Sequence, residues 1–136
     1  MSENELIITL PSDPNMLHLV DEFLETVAKT FNIPDDIVFN IHLCLSEAIT
    51  NAMVHANKKH PDKKVTLEVT HYDDKALFVI KDEGPGFDPA EIPDPTMPEN
   101  LLKDHGRGLY LMRIYTTKLE YIKTPTGTEA HLEFKI

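Results

Sequence analysis

The chain has 136 residues, 41% of them hydrophobic and 26% charged, and a formal net charge of −10. That length fits one domain with a hydrophobic core that needs no staples. The acidic surplus argues against broad nucleic-acid binding, which depends on phosphate neutralisation, and the single cysteine, Cys44, excludes an internal disulfide framework or a cysteine-based zinc site.

No uninterrupted run of about 18 apolar residues occurs, so no membrane span is expected. The opening MSENELIITL lacks a basic region followed by an apolar stretch, so it does not read as a secretory signal. The expected location is cytoplasmic.

Leu6 to Leu10 is a short apolar run that reads as a strand ending at Pro11. Ser12-Asp13-Pro14 is a helix start, with a capping side chain and proline at the first helical position. Met16, Leu17, Val20, Phe23, Leu24, Val27 and Phe31 follow at helical spacing, a stripe for core packing. Asn32-Ile33-Pro34 breaks this helix, and Pro34-Asp35-Asp36 begins another that ends near Asn57. On the second helix Val38, Ile41, Leu45, Ala48, Ile49 and Ala52 share one face. Glu47, Asn51 and His55 are spaced four apart beside it. That polar edge serves either as a solvated face or as the floor of a pocket.

Val65 to His71 alternates apolar and polar residues, a half-exposed strand. Ala76 to Lys81 is apolar on both faces and reads as a central strand, running straight into Asp82-Glu83-Gly84-Pro85-Gly86. A second glycine pair, Gly106 and Gly108, follows after a proline-rich segment, and a short helix is expected from Leu109 to about Thr116. Four of the five glycines and half of the 10 prolines lie between Lys81 and Met112. Glycine admits close approach of a ligand to the backbone, and an irregular connection of this length suits a lid or binding loop. The only arginines, Arg107 and Arg113, lie within or just after the second pair, consistent with a local anion site. Lys118 to Lys123 and Thr128 to Lys135 form a hairpin around Pro125-Thr126-Gly127. The pattern predicts a single α+β domain over residues 1–136: a two-layer sandwich, with a mixed, mainly antiparallel sheet and helices on one face.

Three motifs thus stand in order: helical Glu47-x-x-x-Asn51, Asp82-x-Gly84-x-Gly86 after a strand, and Gly106-Arg107-Gly108-Leu109 before a helix. Together they resemble the ATP-binding fold shared by gyrase, heat-shock-90, histidine-kinase and MutL proteins, the Bergerat fold, over nearly the whole chain. The phrase LSEAITNAMVHAN and the N-terminal strand and helix look most like the anti-sigma-factor serine kinases. A sensor kinase needs a helical hairpin with its own phosphoacceptor histidine, so here the phosphoacceptor is expected on another protein.

The resemblance implies ATP and Mg²⁺ as ligands and a role for each residue. Asp82 accepts a hydrogen bond from the adenine amine, which an ionised carboxylate does and cannot reverse. Gly84 and Gly86 let the backbone approach the base, and Thr128 assists through its hydroxyl. Asn51 ligates Mg²⁺ through its amide oxygen, a hard ligand for a hard cation. Glu47 is the general base for a serine hydroxyl or a water. Gly106, Arg107, Gly108 and Leu109 hold phosphates at a helix N-terminus. The implied activity is a serine/threonine protein kinase acting as an anti-sigma factor, expected as a homodimer: it binds a sigma factor and phosphorylates a small antagonist protein on serine, without direct contact to nucleic acid or membrane. One departure stands out. Many members of the branch carry a basic residue where this chain has Asp104, which leaves open an ATP-gated binding module with little phosphotransfer.

Overall fold

The structure is a computed structural model that describes residues 4–84 and 104–136, with backbone alone for 104–109. In chain order it runs β1 (Glu5–Pro11), a 3-10 turn (Pro14–Met16), α1 (Leu17–Phe31), α2 (Asp35–Thr50), a π turn (Asn51–Ala56), β2 (Lys64–His71), β3 (Lys75–Lys81), α3 (Asp104–Tyr115), β4 (Lys118–Thr124) and β5 (Gly127–Lys135). The five strands form one sheet in the order β1-β2-β3-β5-β4. All four pairings are antiparallel, so the expected α+β sandwich holds while its sheet is purely antiparallel among the described residues.

Alternation along the strands explains the two layers. Val65, Leu67 and Val69 of β2, Ala76, Phe78 and Ile80 of β3, and Ala130, Leu132 and Phe134 of β5 are buried on one face. Against them pack Val20, Leu24 and Val27 of α1 and Ile41, Leu45, Ala48 and Ile49 of α2. Phe78 and Phe134 meet edge to face at 5.5 Å between ring centroids, an arrangement that suits their quadrupoles. The other face carries Thr66, Glu68, Leu77, Val79, Lys81 and His131. Ion pairs cross it, among them Lys81–Glu68 at 2.8 Å and Lys75–Glu133 at 3.3 Å. Exposed pairs of this kind add little stability and keep the face polar.

Helix ends follow their local chemistry. Asp13 caps the first turn, its Oδ1 accepting the Asn15 N–H at 3.0 Å. Ser12, the other expected cap, is buried and donates instead to the Lys63 carbonyl at 2.6 Å. Asn32 ends α1 in the left-handed conformation, φ 52°, which asparagine tolerates better than most residues.

α2 and the π turn make one rod from Asp35 to Ala56, 22 residues that by length and composition would also suffice to cross a membrane. Here the apolar side is core: Ile41, Cys44, Leu45, Ala48, Ile49, Ala52, Met53 and Ala56 are all buried. The rod's end is tightly bound. The Asn57 N–H reaches the Ala52 carbonyl and the Lys59 N–H reaches the Met53 carbonyl, both at 2.8 Å. Lys58 and Lys59 are held at φ 53° and 58°, a conformation that costs lysine about 1–3 kcal/mol and persists only where the surroundings enforce it.

Sequence and structure differ most at α3. It begins at Asp104, five residues before the expected start at Leu109. Glycine weakens a helix by about 1 kcal/mol relative to alanine without forbidding it, and Met112, fully buried between the layers, anchors the helix further along.

Phe78→Ala should remove about 3–5 kcal/mol of stability by opening a cavity between the layers, read as a lowered urea midpoint. Thr70→Ala on the outer face should change it by less than about 0.5 kcal/mol.

Candidate active site

The site grows from the end of the central strand. Residues of even number in β3 face the helices, so Asp82, directly after Lys81, turns its carboxylate inward and is 8% exposed. Its Oδ1 accepts two backbone N–H groups, from Gly84 at 3.1 Å and from Thr128 at 3.0 Å. The Asp82 N–H in turn donates to the Thr128 carbonyl at 2.9 Å. Burial raises the Asp82 pKa above the usual carboxylate range, and the Gly84 and Thr128 N–H groups and the Lys63 charge oppose that shift.

Two glycines make this junction possible. A Cβ on Gly127 would lie 1.9 Å from the Asp82 carbonyl oxygen, and one on Gly84 would lie 1.9 Å from the Ala56 carbonyl oxygen. Both collisions are with backbone, so neither neighbour gives way cheaply. Gly84 therefore lets the loop after β3 lie against the end of the Asn51–Ala56 turn.

Thr128 is 2% exposed, and its Oγ1 is buried without a hydrogen-bond partner among the described residues. An orphaned hydroxyl of this kind costs about 1–3 kcal/mol. Its place beside the Asp82 carboxylate fits a bound polar edge such as adenine or a water that accompanies it.

The second helix supplies the remaining candidates. Glu47 is half-buried near the end of α2. Asn51, 4% exposed, begins the π turn. Turns of this type are rare and concentrate at functional sites. The Asn51 N–H still reaches the Glu47 carbonyl, so those two stay aligned, while the wider turn carries His55 out of their line, exposed where Asn51 is not. The Asn51 amide lies against the hydroxyl of Tyr121. Tyr121 points inward from β4, its hydroxyl 3.9 Å from the Met112 Sδ of α3. Burial pushes the Tyr121 pKa well up, against the opposing influence of Arg113 and Asn51. The Cys44 thiol, three residues before Glu47, is pushed up to about 12 by burial and by the Glu47 charge, so it is not a nucleophile.

The structure thus joins Asp82, Gly84 and Thr128 directly, and sets Asn51 under β4 and α3. Gly106, Arg107, Gly108 and Leu109 fall within the opening turns of α3, with their side chains outside the described residues. A helix leaves only its first four N–H groups unpaired. With α3 beginning at Asp104, the Gly108 and Leu109 amides lie beyond that set. Gly86 and the proline-rich segment lie outside the described residues.

Tyr121 and Asn57 are site neighbours that motif spacing does not find. The inward alternation of Leu119 and Tyr121 signals only that Tyr121 faces the core. A separate groove of about 580 Å³ between α1 and α2 is lined by Leu24, Ala28, Ile33, Val38, Phe39 and His42 among others. None of the expected nucleotide residues among those described lines it.

The comparisons with known proteins agree with this fold. The family described as histidine kinase-like ATPase domain matches residues 10–134. A serine-protein kinase RsbW of Bacillus subtilis (strain 168) is 28% identical over 109 residues, covering 76% of this chain and 68% of its own. A serine-protein kinase RsbW of Bacillus velezensis is 27% identical over 125 residues, covering 88% of this chain and 76% of its own. That of Listeria monocytogenes serotype 4a is 26% identical over 118 residues, covering 80% and 73%.

Asp82→Asn keeps an oxygen for the two N–H groups and removes the buried charge. The raised pKa means that folding favours the protonated acid, so the wild type loses stability as pH rises through the folded pKa. The variant should therefore be the more stable protein at neutral pH, with the advantage fading under acid. Parallel thermal melts across pH check this; a variant less stable at neutral pH would show that the charge is not under strain.

Proposed function

The chain belongs to the histidine kinase-like ATPase domain family, and from that premise we propose that it is an ATP-dependent serine/threonine protein kinase working as an anti-sigma factor. In this reading it is one ATP-binding domain, homodimeric and cytoplasmic, that binds a sigma factor and phosphorylates a small antagonist protein on serine. The observation that carries the nucleotide assignment is the buried Asp82 carboxylate fixed by Gly84 and Thr128, with the Thr128 hydroxyl beside it unpartnered among the described residues. The similarity to serine-protein kinases RsbW supports the choice of a protein hydroxyl as acceptor.

Each residue then has a task. Asp82 accepts from the adenine amine with the oxygen that the backbone does not occupy. Gly84 brings the strand-end backbone up to the base, and Gly86 continues that approach. Asn51 would hold Mg²⁺ through its amide oxygen, and the metal, when bound, neutralises phosphate charge. Gly106, Arg107, Gly108 and Leu109 meet the phosphates once the start of α3 opens to free their N–H groups. Glu47 takes the proton from the serine hydroxyl as its oxygen bonds to the γ-phosphorus. The bond from that phosphorus to the β-phosphate oxygen breaks, and ADP leaves. Positioning and charge supply most of the rate in such a transfer.

A second reading is favoured by two observations. Asn51 is nearly inaccessible behind Tyr121, and the second glycine pair is wound into a helix. A protein that must rearrange to take nucleotide suits an ATP-gated binding module, in which ATP acts by preferring one conformation. Asp104, in place of a basic residue, points the same way.

Incubation of the purified protein with Mg²⁺, ATP and a candidate antagonist protein separates the two. The kinase reading expects phosphoserine on the antagonist. Tight ATP binding without phosphoserine after prolonged incubation leaves the gated module, and failure to bind any adenine nucleotide removes both. Glu47→Ala should hold ATP within about twofold and slow transfer by about a hundredfold or more; equal rates in variant and wild type would rule Glu47 out as the base.

A further inference from the structure

The Asp82 loop is held from behind by a residue that neither the motifs nor the family comparison singles out. Asn57 follows the π turn and is completely buried. Its Oδ1 accepts the Glu83 N–H at 2.9 Å. Its Nδ2 donates to the Ser12 hydroxyl at 2.8 Å and to the Lys64 carbonyl at 3.1 Å. Ser12 passes the connection on to the Lys63 carbonyl. The Glu83 carboxylate also turns away from the site, accepting the Lys64 N–H. One amide thus ties together the end of the Asn51 rod, the exit of β1, the start of β2 and the peptide between Asp82 and Gly84.

We propose that Asn57 is a positioning residue for adenine recognition. Its hold on the Glu83 N–H fixes the peptide that places the Gly84 N–H on Asp82 Oδ1, and so fixes which carboxylate oxygen faces the base. The Gly84 backbone is pressed against Ala56, one residue before Asn57, with no room for even a methyl group between them. The contact and the hydrogen bond set the loop from the same helix end. The rod carrying Glu47 and Asn51 and the loop carrying Asp82 therefore move as one piece. Base recognition and phosphate chemistry are kept in register by a side chain that touches neither. Asn57 differs from a generic buried asparagine in this: its acceptor and donor sides serve different purposes. The acceptor side faces the loop, and the donor side faces β1 and β2.

This inference rests on the reading of Asp82 as the adenine acceptor, and the test separates the two. Dissociation constants are measured for ATP and for purine riboside triphosphate, which has hydrogen where ATP has its amino group. A charge-assisted hydrogen bond predicts that the wild type prefers ATP by about tenfold or more. Asn57→Ala should lose most of that preference, its two constants coming within about twofold of each other through weaker ATP binding. Asn57→Gln, which keeps the amide but displaces it by one methylene, carries the same expectation and decides the matter should the alanine variant fail to fold. Ser12→Ala cuts only the donor side and should keep the preference. A general loss of stability lowers both affinities together and leaves their ratio intact. In the wild type without nucleotide, the Glu83 amide should already exchange slowly with deuterium.

Wild-type preference retained in the Asn57 variants overturns the proposal while leaving Asp82 its role. Equal loss in Ser12→Ala overturns it too, since the effect would then belong to packing. Rapid exchange at Glu83 does the same. A wild type that binds ATP and purine riboside triphosphate equally removes the Asp82 reading, and this inference with it.

Discussion

A carboxylate cannot be left bare in a protein interior, and the architecture around Asp82 is arranged to meet that constraint. Moving a charge out of water is costly unless hydrogen bonds replace the lost solvation. Two N–H groups, one from the loop and one from the neighbouring strand, converge on a single oxygen. That convergence needs β3 beside β5, a glycine at the start of β5 and a glycine two residues after the acid. The replacement is incomplete, as the upward shift in the Asp82 pKa records. The remaining electrostatic demand is what a ligand with a donor edge can satisfy. Binding sites are commonly built this way, with local stability given up for recognition.

The two layers have different tasks. The sheet locates Asp82 and Thr128 through strand pairing, which fixes register to a single residue. The helices locate Glu47 and Asn51 through apolar packing against the sheet. Packing alone allows small sliding motions between layers. The buried hydrogen bonds at the rod's end remove that freedom, because breaking one leaves a polar group unsatisfied. The strained pair Lys58 and Lys59 directly follows Asn57, which makes three of these bonds.

Much of this was legible in the sequence because the signals are local. The period of two in Val65–His71, the helical stripe from Met16 to Phe31 and the apolar run into Asp82 each follow from one stretch of chain. The partnership of Asp82 with Thr128 is not local: the resemblance assigns both to one base, and the bonds between them follow only from the pairing of β3 with β5. Three features stayed hidden for physical reasons. The π turn at Asn51 depends on tertiary packing, since nothing in Asn-Ala-Met-Val-His-Ala forbids an ordinary helix. The early start of α3 opposes the glycine preference of its own residues. The set of bonds through Ser12 and Asn57 joins positions 45 apart in the chain. Ser12 reads as a helix cap and Asn57 as a helix end, and both local readings miss what their side chains bind.

The π turn also bears on how this helix can change over time. A π turn is an α-helix with one residue too many, so deleting a single residue between Asn51 and Ala56 would restore the regular ladder. The same deletion would draw Asn57 and the strained lysines back along the rod by one position, away from Ser12 and Glu83. A change in length here needs several compensations together. The stretch from Asn51 to Asn57 is therefore a segment whose residue count is constrained as well as the identities of the two asparagines that bound it.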